Sequence, residues 1–262
     1  MVVDFHTHCY KPLLAKKATS LIPPGSPYGP YYDGTVDGLL DSMAKTGIDY
    51  SVVQNIANSP TSVKAVNDFA IELLGYDKLI PFGSVHPDYD DIEGEIKRLK
   101  EHGIKGLKFH PYYQHCELTS KAAYKAYEKG AKHDMVMLFH GGHDLMVPGD
   151  NSNPRLLRQI SDDFKGAKLV FAHLGGWDLW DECFKLLIGQ DVYLDTSFAF
   201  MFLSQEQIDF VLNNHDPKRL LFGTDGPWTD AKKELKCTRQ LATPYLDDIL
   251  YGNAFRLLGM NN

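Results

Sequence analysis

Eight short apolar runs, each followed by a segment with helical character, alternate along 262 residues, and this alternation constrains the fold more than any other feature. Val2–His8, Tyr50–Ile56, Leu79–Val85 and Gly106–His110 form the first four runs. Met135–His140, Lys168–His173, Val192–Thr196 and Arg219–Thr224 form the second four. Each is rich in Val, Ile, Leu or Phe and is closed by Gly, Pro, Asn, Asp or His, as strands buried on both faces of a parallel sheet are. Between them, Val36, Leu39, Leu40 and Met43 fall at i, i+3, i+4 and i+7 and stop at Gly47, the mark of an amphipathic helix. Ile92, Ile96 and Leu99 make a stripe behind Asp90 or Asp91, ending at Gly103. Asn153-Pro154 supplies a capping side chain and a first-turn proline, and Ser204 with Gln207 makes a capping box. Eight such units predict an α/β fold, a (β/α)8 TIM barrel, for which about 250 residues is typical. The whole chain, 1–262, is expected to form a single domain. An open doubly wound sheet is the alternative, but it usually has fewer strands.

Composition narrows the function. The net charge of -7 without a Lys/Arg-rich run argues against nucleic acid or an anionic membrane as partner. No apolar run approaches the ~20 residues that span a bilayer. Cys9, Cys116, Cys183 and Cys237 are far apart and form no C-x-x-C pair, which suggests free thiols in a reducing compartment. Met1 leads directly into Val2–His8, so no signal peptide is expected and a cytoplasmic location is the default. The expected partner is a small-molecule substrate, and a homodimer is admitted as the assembly.

Two segments stand apart from the scaffold. Cys9–Gly34 holds five prolines, three glycines and four tyrosines and reads as a long ordered loop, and Thr229–Tyr245 reads as polar and irregular. Both follow strands, which in a barrel places them over the catalytic face.

The eleven histidines divide by position. His102, His133 and His215 fall at predicted helix C-termini, where a partly charged imidazole suits the helix dipole. His6, His8, His86, His110, His140, His143 and His173 lie at or just after strand ends, a crowding that packing does not explain. In Asp4-Phe5-His6-Thr7-His8 the two imidazoles are two residues apart and share a face, with Phe5 and Thr7 on the other, so they form a bidentate metal platform. His140 is followed by Gly141-Gly142, and His173 by Leu174-Gly175-Gly176. These glycines would let backbone approach an ion or substrate closely. Asp225, after the eighth run, can bind a metal and take a proton from metal-bound water. Lys108 and His110 share the interior face. Lys108 is open to three readings: a contact to an anionic substrate group, a carboxylated bridge to a second metal, or a pair with Asp195 or Asp4. Trp177 can stack on a planar substrate or cap the barrel rim.

This ordered set resembles the amidohydrolase superfamily, and within it the amidohydrolase-related branch. That branch includes aminocarboxymuconate-semialdehyde decarboxylase, aromatic-acid decarboxylases and metal-dependent hydrolases. The resemblance runs from Val2 to about Gly259. It is carried by Asp4–His8, Lys108-Phe109-His110-Pro111, His140, Ala172–Gly176, Gly223-Thr224-Asp225 and the closing Gly252–Gly259. It implies that His6, His8, His140 and Asp225 bind one divalent metal, with His173 beside them as an acid/base or charge-stabilising group. No arginine ends an early strand to grip a substrate carboxylate; Arg155 and Arg239 are the only ones predicted near the rim.

The leading expectation is a metal-dependent hydrolase acting on an amide, ester or lactone carbonyl. Asp225 and His173 would be catalytic, and Lys108, His110 and Trp177 would contact substrate. The alternative is a non-hydrolytic metal-dependent decarboxylase of a small acid, such as an aromatic one, using the same residues. Three imidazoles and a carboxylate favour zinc, with manganese, cobalt or iron also admitted.

Overall fold

The computed structural model describes residues 1–23, 26 and 28–260. Eight strands lie where the apolar runs predict them: β1 (Val3–Thr7), β2 (Tyr50–Gln54), β3 (Leu79–Phe82), β4 (Gly106–Phe109), β5 (Val136–Phe139), β6 (Leu169–Phe171), β7 (Tyr193–Asp195) and β8 (Leu220–Leu221). All neighbouring pairs within β1–β3 and within β4–β8 are parallel. Backbone hydrogen bonds bridge the two seams. Gly83 N donates to Gly106 O and Lys108 N to Gly83 O, joining β3 to β4. Phe5 N donates to Phe222 O and Asp225 N to His6 O, joining β8 to β1. The fold is the expected TIM barrel.

The helix signals hold in detail. Thr35 caps Val36–Thr46 by accepting from Gly38 N, and Gly47 ends that helix at φ 77, a left-handed conformation that costs glycine little. Asp91 rather than Asp90 caps Ile92–Glu101, Asn153 caps Pro154–Asp163, and Ser204 with Gln207 closes the capping box of Gln205–Asn214. One apolar cluster fills the space between strands and helices. A second fills the barrel interior with Val3, Phe5, Val52, Phe82, Leu138 and Val170, and Phe255 and Leu258 of the last helix close it from below. Each such Leu or Phe contributes about 1.5–3 kcal/mol on burial. Among the described residues no helix is long and apolar enough to cross a membrane.

Three expectations change. Cys9–Gly34 is not a loop throughout: Pro12–Thr19 is a helix with proline in its first turn and no side-chain cap at Lys11. Within that segment, Pro24, Gly25 and Pro27 lie outside the described residues. Thr229–Tyr245 likewise contains a helix, Ala231–Arg239, capped by Asp230. His215 does end a helix, but it carries no charge there. It is buried, its Nδ1 accepts from Gly189 N, its Nε2 bonds Val192 O, and burial pushes it down to about 4.

Candidate active site

The site begins with an irregularity in β1. Val3 and Asp4 pair with Tyr50 and Ser51, but Thr7 pairs with Val53, so β1 carries one residue more than β2 across this stretch. A bulge of this kind re-aims side chains. Phe5 stays in the interior cluster, edge-on to Phe82 at 5.8 Å, contrary to the strict alternation that set it opposite His6. His6 and His8 do share a side, with ring centroids 5.3 Å apart.

Both imidazoles are held at Nδ1. His8 Nδ1 donates to Gln54 O at 3.0 Å, and His6 Nδ1 donates to Asp195 Oδ2 at 2.9 Å. This leaves both Nε2 atoms as acceptors. They face Asp225 Oδ1, at 3.0 Å from His8 and 3.4 Å from His6. Burial, with Lys108, His8 and His140 adding to it, holds His6 well below its usual value. Burial also raises the Asp225 carboxyl. Two acceptor nitrogens against a carboxylate oxygen repel unless a proton or a cation lies between them. The donor atoms of His6, His8 and Asp225 lie within 4.8 Å of one another, so the set fits a divalent cation. Asp225 adopts φ 63, as His173 (φ 57) and Phe198 (φ 54) do. Left-handed non-glycine residues of this kind tend to cluster at functional sites.

His140 stands in an adjoining group, its donor atom within 4.8 Å of those of His110 and Asp144. Its ring stacks on His110 at 4.1 Å and meets His173 edge-on at 5.0 Å. Its Nε2 donates to His143 O at 2.9 Å, which leaves Nδ1 as the free acceptor. Burial pushes His140 down to about 3 and holds His110 and His173 low, so all three are neutral. His173 Nδ1 bonds Ser197 O at 3.0 Å, leaving its Nε2 free.

Lys108 is fully buried, and its Nζ lies 3.1 Å from His6 Nε2. Among the described residues it makes no ion pair with Asp195 or Asp4, the carboxylates proposed to neutralise it. Burial lowers its ammonium to about 8, with Asp225, Asp195 and Asp144 pulling the other way. Asp4 instead accepts from Thr224 N, Thr224 Oγ1 and His6 N, tying β1 to the segment after β8.

A cavity of about 310 Å³ opens over this floor. His6, His8, Lys108, His140, His173 and Asp225 form its base, and His110 and Trp177 also line it. Tyr10, Tyr113, Phe198 and Trp228 add aromatic wall, while Leu14, Ala18 and Leu21 of the unforeseen helix and its exit form the rim. His86 does not line the cavity. It is buried against Gln114 O and Asp88 N, a packing role. Arg155 pairs with Glu182 at the surface, and neither it nor Arg239 reaches the cavity. The paired glycines serve backbone contact rather than a ligand: a Cβ on Gly142 would lie 2.2 Å from Trp177 N, and one on Gly141 would lie 2.5 Å from Ala172 O. Asp195 and Ser197, which hold His6 and His173, were not among the candidate site residues; their only local signal is their place at the end of β7.

Residues 3–260 match the family model described as Amidohydrolase. No curated protein sequence matches the chain. Similar solved structures include a 2,6-dihydroxybenzoate decarboxylase complexed with 2,6-dihydroxybenzoate, at 14% identity and TM-score 0.78 over 99% of each chain. A dihydroxybenzoic acid decarboxylase from Polaromonas sp. JS666, with bound manganese and 2-nitroresorcinol, is 15% identical at TM-score 0.76, over 100% of this chain and 97% of the other. A probable 2-pyrone-4,6-dicarboxylic acid hydrolase from Acinetobacter baumannii, with citric acid bound, is 16% identical at TM-score 0.68 over 99% of each chain.

Proposed function

The chain belongs to the amidohydrolase family, and within it we propose that it is a metal-dependent decarboxylase of a small aromatic carboxylic acid. The observation that carries this reading is the cavity. Its lining surface is mostly aromatic and aliphatic, and His6, His8, Lys108 and Asp225 meet at its base, while Lys17, Asn58, His143 and Asp144 also line it. A planar acid with its carboxylate at the base fits that lining. The likeness in fold to two dihydroxybenzoate decarboxylases points the same way.

A divalent cation held by His6, His8 and Asp225, with His140 Nδ1 as a fourth donor, would supply Lewis acidity toward the substrate's oxygens. Zinc suits the donors, and manganese is the ion in the Polaromonas structure. Trp177 stacks on the ring, and Lys108 and His110 offer donors to its oxygens. Asp225 delivers a proton to the ring carbon that bears the carboxylate. The carbon–carbon bond then breaks, its electron pair returns to the ring, carbon dioxide leaves, and Asp225 recovers its proton from water. His173, neutral with Nε2 free, accepts a hydrogen bond from a ring hydroxyl.

The test is a panel of hydroxybenzoates, lactones, esters and amides offered to protein reconstituted with zinc or manganese. Carbon dioxide released from a benzoate, and lost in Asp225→Ala, is the expected result. Lactone or amide cleavage without carbon dioxide would establish hydrolysis instead, the reading that the likeness to the Acinetobacter protein favours. Full turnover by Asp225→Ala would overturn the mechanism in either case.

A further inference from the structure

Asp195 is fully buried at the end of β7, and its two oxygens divide their bonds between the His6 imidazole and the backbone and hydroxyl groups of His173 and Ser197. Oδ2 accepts from His6 Nδ1 at 2.9 Å. Oδ1 accepts from the backbone N–H of His173 at 3.0 Å and of Ser197 at 3.1 Å, and it accepts the Ser197 hydroxyl proton. With its one proton committed to Asp195, Ser197 Oγ faces the rings as an acceptor, 2.9 Å from His173 Nδ1 and 3.1 Å from His6 Nδ1. The two rings lie stacked at 5.0 Å and 22°. The segment is held from behind as well. Glu234, buried in the helix after β8, accepts from Phe198 N at 3.1 Å while Phe198 sits at φ 54.

We propose that Asp195 is the positioning residue for two of the site's imidazoles, those of His6 and His173. Its carboxylate fixes His6 as the Nδ1–H tautomer and, through the His173 backbone and the Ser197 hydroxyl, sets His173 in register with it. Both Nε2 acceptors are thereby aimed into one cavity by a single group that touches neither substrate nor ion. The carboxylate is needed because every bond to it comes from a donor. An asparagine would meet either His6 or the His173–Ser197 side with its NH2 group, so one of the two sets must break.

This inference rests on the metal-site part of the proposed function, not on decarboxylation, and its test reads the site directly. Zinc affinity, measured by chelator competition, is compared in the wild type and Asp195→Asn, and long-range proton–nitrogen NMR reports the tautomer of each imidazole. Losing the carboxylate behind a metal-binding histidine typically weakens binding by about 10- to 100-fold. A loss of that size with His6 leaving the Nδ1–H form, or with the His173 signals displaced, is expected. Zinc affinity within twofold of wild type in a folded Asp195→Asn, with both tautomers unchanged, would overturn the proposal. If Asp195→Asn does not fold, Ser197→Ala decides. It is expected to keep His6 as Nδ1–H and zinc affinity within twofold, while the His173 ring signals shift and turnover falls about three- to tenfold at unchanged KM. Unaltered His173 signals in that variant would equally refute the coupling. Wild-type protein that binds zinc with both imidazoles in the expected tautomer, yet releases no carbon dioxide from any acid, would leave this inference standing and sink only the decarboxylase reading.

Discussion

Thr224→Val tests whether the seam between β8 and β1 builds the site. Thr224 Oγ1 donates to Asp4 Oδ2 at 2.6 Å and accepts from Gly226 N at 3.1 Å, in a region where Thr224 and Asp4 are each 1% exposed. Valine has nearly the same shape, so packing survives and only the hydroxyl is lost. A hydrogen bond to a charged group is worth about 1.5–3 kcal/mol, and a buried donor left unpaired costs about 1–3 kcal/mol. Burial pushes the Asp4 carboxyl up to about 7, so near neutral pH it is only partly ionised and the first figure falls toward its lower end. The expected destabilisation is therefore about 3 kcal/mol, read from the urea midpoint at unchanged m-value. Thr224→Ser keeps both bonds and should lose only about 1 kcal/mol from its missing methyl. Because Asp225 is the next residue, Thr224→Val should also bind zinc more weakly. A loss below about 0.5 kcal/mol, the level of an ordinary surface substitution, would refute the claim that this staple closes the barrel.

Three other expectations follow from the same geometry. His215 is held neutral by burial, down to about 4 against 6.5 in an open chain, so the unfolded state binds the extra proton between those values. Its contribution is whole above pH 6.5 and is lost as pH falls toward 4, amounting to about 2 kcal/mol between pH 7 and pH 5; urea titrations should show that slope reduced by this amount in His215→Gln, and an identical slope would rule it out. Trp177→Ala removes a ring that meets Phe198 at 5.7 Å and lines the cavity, and should raise KM about tenfold with a smaller change in kcat, as expected for about 1.5 kcal/mol of stacking. Adding zinc to chelator-treated protein at a hundred times its dissociation constant should stabilise the fold by about 2.7 kcal/mol, a rise in Tm of about 5–10 °C, and His8→Ala should abolish most of that rise.

What was legible in the sequence is what acts over short range. Strand runs, caps at Asn153 and Ser204, and the stop at Gly47 depend on neighbours within a turn or two, and they stand where they were expected. The helix Pro12–Thr19 escaped because Lys11 supplies no capping side chain and its apolar residues Leu13 and Leu14 face outward or toward the cavity rather than a core stripe. The residues placed around the site, His6, His8, His140, His173, Lys108 and Asp225, were legible because each ends a strand, and strand ends converge on one face of a barrel. Which atom of each residue faces the cavity was not legible. The orientation of His6 is set by Asp195, 189 residues away, and the re-aiming of β1 depends on a bulge against β2 that no local pattern encodes. Lys108 shows the cost of that gap. One of the three readings of an interior lysine is a carboxylate partner, yet its Nζ rests on a neutral imidazole, where a cation is stabilised far less. A buried amine at about 8, beside the acceptor atoms that suit a metal, is held there by the site and not by an ion pair. Substituting Asp195 should therefore act on imidazole geometry and, through space, on the Lys108 charge, and substituting Asp4 on seam stability, with no direct ion pair to Lys108 lost in either case.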